Sequence, residues 1–231
     1  MAHERPAVLL TPEALALTAL AGCVDAAGFI TFGGLFVAHM SGNSAALGAW
    51  FGQGLWEKGL PHLFAIPVFV GGLVIGYSVM QGHPTARRCA ALLAAEAALL
   101  GTFVMGHVLH GRPEFLTPGY FGLASLLLLA MGMQNATLRQ IGRSAFPSTY
   151  VTGVLDTLGR SLAALIASAK KRQSAGEDAR QALAAASLWI CYALGAVGAS
   201  AALVAFGAGI LAVPVVGLLL LAAVYFWRGE A

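Results

Sequence analysis

The sequence predicts an all-α integral membrane protein: six transmembrane helices plus two re-entrant or broken helical segments, arranged as two inverted repeats. Three observations predict it. First, of 231 residues 58% are hydrophobic and 10% charged, with mean hydropathy +0.79, whereas a soluble domain carries about 25% charged residues. Second, several apolar runs approach the ~20 residues a helix needs to cross ~30 Å of hydrocarbon. A transmembrane barrel would read instead as short alternating strands. Third, the chain echoes itself. The stretch Phe36-Val37-Ala38-His39-Met40-Ser41-Gly42-Asn43 has a partner in Phe146-Pro147-Ser148-Thr149-Tyr150-Val151-Thr152-Gly153. Asp25 and Asn135 lie 110 apart, as do Phe36 and Phe146, and Gly42 and Gly153 lie 111 apart. Co-linear order of features, rather than identity, marks an internal duplication with one inserted residue.

In chain order, the first span covers about 12–32 and carries Asp25. The stretch 36–52 follows, rich in glycine and serine and only marginally long enough to cross; Glu57, Lys58 and Pro61 close it. A strong span over 61–80 holds Gly72 and Gly76, a small-xxx-small pair suited to close helix contact. Arg87 and Arg88 precede a span over 89–109 containing Glu96, and Arg112, Pro113 and Glu114 form the next loop. The span 118–138 carries Gln134 and Asn135 near its end. After Arg139 and Arg143 the second echo runs through Asp156 and Arg160 to Ala169, and residues 170–180 form the one long charged loop. Two spans, 181–206 and 207–227, meet at Gly207-Ala208-Gly209. The whole of 1–231 reads as one membrane domain, with repeat 1 over about 12–110 and repeat 2 over about 118–228.

Charge chooses between two topologies. With eight full spans and an inside N-terminus, nine of the 13 Lys and Arg fall inside; if the two echo stretches dip in and return on one side, eleven do. Cytoplasmic loops favour Lys and Arg, so six full spans with two re-entrant segments and both termini cytoplasmic is the preferred reading. Each repeat then holds an odd number of spans, and the halves insert in opposite orientation. Inverted repeats with broken helices recur in secondary transporters, and irregular backbone at membrane depth is tolerated where it is buried or lines a wet cavity. The net charge of +3 sits in short loops and does not point to nucleic acid. Cys23, Cys89 and Cys191 lie in or beside apolar segments without paired spacing, so neither a disulfide framework nor a thiolate metal site is expected. No cleavable signal peptide is evident in 1–12.

Asp25 is the sharpest candidate. A carboxylate inside a span costs at least ~2.5 kcal/mol on insertion scales and usually faces the bundle interior. It reads as a proton or cation site, or as a hydrogen-bonded residue capping the broken segment. His39, Ser41 and Asn43 form the polar face of the first echo, and Thr149 and Thr152 that of the second. Their side chains could cap half-helices, or the free amides there could hold an anion. Gln134 and Asn135, at the position matching Asp25, would give the second half its polar groups. Glu96, among alanines, could pair across helices. Asp156 and Arg160 have the spacing of a simple surface pair, and His107 and His110 read as interfacial rather than as metal ligands. An intramembrane protease is disfavoured: the sequence is His39-Met40-Ser41-Gly42 rather than Gly-x-Ser-Gly, and no histidine follows His110 to act as base.

The combination Gly22-x-x-Asp25, Phe36-x-x-x-Met40-Ser41-Gly42-Asn43, Gly132-x-Gln134-Asn135-Ala136 and Thr149-x-x-Thr152-Gly153 resembles the YoaK-like family of bacterial membrane proteins. The resemblance covers roughly residues 12–228 and implies a six-span inner-membrane protein of unassigned function, with no catalytic residues to transfer. The expectation is a transporter or channel for a small polar or ionic solute, not an enzyme, needing no cofactor or metal. The alternative is a membrane scaffold, accessory subunit or sensor. Its partners would be the lipid bilayer, the solute, and a second copy in a homodimer, for which Gly72/Gly76 and Gly195/Ala199 offer small-residue faces.

Overall fold

The computed structural model describes residues 10–82, 85–141, 151–171 and 176–229, and all regular structure among them is helical. The elements are α1 (Pro12–Thr31), α2 (Met40–Gly52), α3 (Trp56–Met80), α4 (Ala86–His110), α5 (Pro118–Ile141), α6 (Val151–Lys171), α7 (Gly176–Phe206), a 3-10 turn over Gly207–Leu211, and α8 (Ala212–Arg228). Among the described residues, seven helices are long and apolar enough to cross a membrane, and of the eight α-helices only α2, with thirteen residues, is too short.

Local chemistry sets the boundaries. Thr11 accepts a hydrogen bond from the Ala14 amide at 3.1 Å, and Pro12 occupies the first helical position, so α1 starts where its orphan amides are met. It stops at Phe32 because Gly33 and Gly34 take φ of 67° and 108°, left-handed backbone that reverses the chain. Thr85 caps α4 in the same way, its hydroxyl accepting from the Arg88 amide.

Two ends of the bundle are fixed by side chains. At one, Arg228 meets Glu13 at 2.9 Å. At the other, Arg112 donates to the carbonyls of Thr31 and Ile30 at 3.0 and 2.9 Å, satisfying the exposed carbonyl end of α1. From these anchors every direction follows. Helix α1 runs towards the Arg112 end, α3 back, α4 out again and α5 back. Helix α7 runs parallel to α1, since Leu15 packs at Leu188 while Asp25 meets Tyr192 and Ile30 shares a cleft with Ser200.

The two echo segments break the alternation. Asn43 at the start of α2 touches His62, and Trp50 near its end lies over Lys58, so α2 runs to the Arg112 end just as α1 does. Helix α6 is antiparallel to α7: Val154 sits at Leu188, whereas Ser161 and Ala164 face Glu177 and Gln181. It therefore runs to the Arg228 end, as α5 does. The second echo reaches Lys171, close to the expected end at Ala169, and its α6 is one continuous helix long and apolar enough to cross a bilayer. Its Leu- and Ala-rich sequence offers nothing that would break it.

Helices α1 and α7, α3 and α5, and α4 and α8 are the closest pairs, with α2 lying on α3 and α6 on α7. The first two crossings are made by glycine. A Cβ on Gly22 would strike the Tyr192 carbonyl, and one on Gly195 the Ala19 carbonyl. A Cβ on Gly132 would strike the Phe69 carbonyl, and one on Gly72 the Leu129 carbonyl. The small-residue faces expected to serve a homodimer are thus used within the chain: Gly72 and Gly76 pack on α5, Gly195 packs on α1, and Ala199 is buried. In lipid, close van der Waals contact is the main force between helices, so such faces are filled by the nearest partner.

Candidate functional site

Asp25 is buried on the face of α1 that meets α7, and the reversal at Gly33-Gly34 carries the following chain back beside it. The amides of Val37 and Ala38 donate to its Oδ1 at 2.9 and 2.8 Å. His39 Nδ1 lies 2.7 Å from Oδ2, the Tyr192 hydroxyl donates to the same oxygen at 2.7 Å, and His39 and Tyr192 stand 3.1 Å apart. With the Nδ1–H tautomer on His39, four donors surround the Asp25 carboxyl group, and bonds to a carboxylate are shorter and stronger than neutral ones.

Asn43 holds the irregular stretch in shape. Its Oδ1 accepts from the Phe36 amide at 3.1 Å, and its Nδ2 donates to the Phe36 carbonyl at 2.7 Å. His62 Nδ1 reaches the same Oδ1 at 3.0 Å. Gly42 lets the Phe36 ring lie directly on the helix start, since an added Cβ would meet that ring at 2.9 Å. The broken segment is therefore clamped at two points, Asp25 and Asn43.

A cleft of about 290 Å³ opens beside the carboxylate, lined by Asp25, Phe29, Phe36, His39, Tyr192 and Ser200 among others. His39 remains 26% exposed by its side chain while Asp25 is 4%, so the imidazole is the group that links the buried carboxylate to the cleft. With Nδ1–H given to Asp25, the His39 Nε2 has no partner among the described residues. An imidazole is the side chain best suited to carry a proton near neutral pH. A second cavity of about 370 Å³ lies at the Arg112 end, where Trp50, Lys58, Phe115 and Tyr120 surround His62. The Asn43–His62 contact joins its floor to the broken segment.

The sequence-derived residues divide. Asp25 and His39 form one centre, and Asn43 supports it from 7 residues beyond Phe36. Ser41 is exposed and contributes no bond, and Ser44 rather than Ser41 bonds back into the helix, to the Met40 carbonyl at 2.8 Å. The amides of Val37 and Ala38, just before the start of α2, are taken by the protein's own Asp25 carboxyl. Gln134 and Asn135 are buried on α5 and are not among the residues lining the Asp25 cleft. Thr152 is exposed in the first turn of α6, and Thr149 lies outside the described residues. Asp156 and Arg160 pair on the surface at 3.0 Å, as their spacing suggested. Sequence reasoning missed Tyr192 and His62. The sequence held a signal for the first: Phe69-x-x-Gly72 and Tyr192-x-x-Gly195 are 123 apart, and both aromatic residues offer their carbonyl to a glycine of the crossing helix.

The family described as "Protein of unknown function (DUF1275)" matches residues 14–224. The chain is also similar to the "UPF0700 transmembrane protein YoaK" of Bacillus subtilis (strain 168), 31% identical over 144 residues, which is 60% of this chain and 60% of that protein. No solved structure matches.

Proposed function

Because the chain belongs to the DUF1275 family, whose description assigns no activity, we propose from its own geometry that it is a transporter or channel. It moves a small polar or ionic solute across the bacterial inner membrane. The observation that carries this is the Asp25–His39–Tyr192 centre: a buried carboxylate at a break in the helical structure, joined by an imidazole to an open cleft. Ionisable groups at membrane depth are costly and mark proton or ion pathways. Asp25 fixes the imidazole, His39 carries the proton or contacts the solute, and Tyr192 closes the wall.

Inverted repeats support the same reading. Ala19, Gly22 and Asp25 correspond at an offset of 110 to Leu129, Gly132 and Asn135. Phe69, Gly72 and Leu73 correspond at 123 to Tyr192, Gly195 and Ala196. The Gly22–Tyr192 and Gly132–Phe69 contacts, and the Gly195–Ala19 and Gly72–Leu129 contacts, are exchanged by that correspondence. Each repeat contains one segment, α2 or α6, that runs the same way as the helix before it. The Arg228 end is assigned to the cytoplasm, with both termini there, because Lys58 and Arg112 mark the opposite end while Arg87, Arg88, Arg180 and Arg228 gather at this one.

A second reading, a non-transporting scaffold or sensor, is favoured by the full saturation of Asp25, which leaves that carboxylate no free lone pair for a solute. Reconstituted proteoliposomes decide between them. A panel of small cations, anions and amino acids is applied on solid-supported membranes. Transport predicts a current for at least one class, abolished in Asp25→Asn and reduced at least tenfold in His39→Gln. Currents that are equal in protein-containing and empty vesicles across the panel would leave the scaffold reading. Single cysteines at Ser41 and Thr152, in a background without Cys23, Cys89 and Cys191, test the opposed re-entrant design: the first labels from outside, the second from inside.

A further inference from the structure

The α4–α5 crossing contains a second buried carboxyl group that the Asp25 centre does not use. Glu96 is 1% exposed and Gln134 2%. Glu96 Oε1 accepts from the Thr137 hydroxyl at 3.0 Å, and that hydroxyl also lies 3.1 Å from the Met133 carbonyl. Gln134 stands one turn before Thr137 on the same helix, so the two side chains are neighbours on the face turned to α4. Among the described residues, two oxygens here are buried without a hydrogen-bond partner, Glu96 Oε2 and Gln134 Oε1.

Two orphaned acceptors in one dry cluster form a pattern with a chemical solution. An ionised carboxylate can only accept, and burying an unpaired charge is far costlier than burying a neutral group. A single proton on Glu96 Oε2 removes the charge and turns that oxygen into a donor. That O–H needs an acceptor, and Gln134 Oε1, one turn from the Thr137 that already meets Glu96, is an orphaned acceptor of the kind it requires. We propose that Glu96 is a proton-binding site: it holds an exchangeable proton as a neutral carboxylic acid, hydrogen-bonded to Gln134 and steadied by Thr137. The step is Glu–COO⁻ plus H⁺ giving Glu–COOH, with no other reactant.

Among the described residues, the surroundings contain little that would hold the charged form. On α4 itself the titratable groups are Cys89, two turns away on the buried face, Arg87 and Arg88 at the helix start, and His107 and His110 at its far end. From α8 Tyr225 packs against the Cys89 and Leu92 cluster, with Arg228 at the helix end. From α5 the facing groups Gln134 and Thr137 do not ionise, and Tyr120 lies at the opposite end. From α3 come Tyr77 near the Arg228 end and Glu57, Lys58 and His62 near the other. The 3-10 turn Gly207–Leu211 brings none.

Infrared difference spectroscopy on the full-length protein in lipid vesicles tests this, following the carbonyl stretch of a protonated carboxyl. The wild type is expected to show such a band at neutral pH, shifted by deuterium exchange and lost reversibly on alkaline titration. Glu96→Gln, a near-isosteric change, should abolish it. Gln134→Leu and Thr137→Val should shift its frequency without abolishing it, with circular dichroism confirming an unchanged helix content. A band identical in wild type and Glu96→Gln would overturn the proposal: Glu96 would be ionised, with the Gln134 amide turned to donate its NH₂. A Glu96-dependent band that never titrates while the protein stays folded would overturn it too, leaving a static structural acid. So would a band removed by sodium or potassium at fixed pH, which would make the ligand a metal cation.

Discussion

Asp25 and Glu96 are both carboxyl groups buried in a lipid-embedded bundle, 3% and 1% exposed, yet their environments are opposite. Asp25 receives four donors drawn from the loop before α2 and from α7. Glu96 receives one, from the helix it packs against. The difference comes from backbone. At Asp25 the chain is broken, so main-chain amides are free to donate. At Glu96 both neighbouring segments are continuous helices whose amides are already spent inside the helix, and only side chains remain to answer a carboxylate. Broken helices in membranes thus make places where charge can reside, while intact ones favour neutral groups.

The largest effect that would break this comparison is expected at Asp25. Asp25→Ala strands two amides, an imidazole and a phenol without their acceptor, and loss of one partner of a buried charged network costs roughly 3–5 kcal/mol. Thermal unfolding in detergent should show a large drop in midpoint for Asp25→Ala and a much smaller one for Glu96→Gln, which keeps shape and needs no charge. Equal losses would mean that the donor count does not set the stability of either site. Next in size are the glycine crossings. Gly22→Val and Gly132→Val each drive a side chain into a facing carbonyl, and overpacking of this kind costs typically 1–3 kcal/mol or more. If the repeats are equivalent, the two variants lose stability by similar amounts, whereas Gly101→Val, with open space around it, is close to neutral.

Much of this arrangement was legible in the chain. The polar residues Asp25, His39 and Asn43 stood out against an apolar background. The glycines also signalled close contact, but a small-residue face does not say which helix fills it, so Gly72 and Gly76 pointed equally to a second copy and to α5. Tyr192 was hidden for a different reason. A lone aromatic in an apolar run has the hydropathy of its neighbours, and its hydroxyl acquires meaning only when the parallel packing of α1 and α7 places it 2.7 Å from a carboxylate. Ser41 is exposed while Asn43 two residues on is buried, because a helix turns successive residues about 100° apart and so onto different faces.

Tyr192→Phe gives the finest test of the comparison, because it removes one donor of four and changes almost nothing else. A hydrogen bond to a charged group contributes about 1.5–3 kcal/mol. The three remaining donors still hold the carboxylate, so the loss should fall at or below the lower limit of that range. The substitution also makes the α1–α7 crossing resemble its counterpart, where Phe69 already occupies the equivalent place. The backbone contact with Gly22 is made by the carbonyl of residue 192 and survives the change, so the fold should persist while His39 loses its second neighbour. The expected result is a modest fall in unfolding midpoint together with a change in the reactivity profile of His39 towards carbethoxylation by diethyl pyrocarbonate. A shift in the profile with no change in midpoint would assign the hydroxyl to tuning the imidazole rather than to holding the bundle. An unchanged profile would detach Tyr192 from the centre and leave Asp25 and His39 as its working pair.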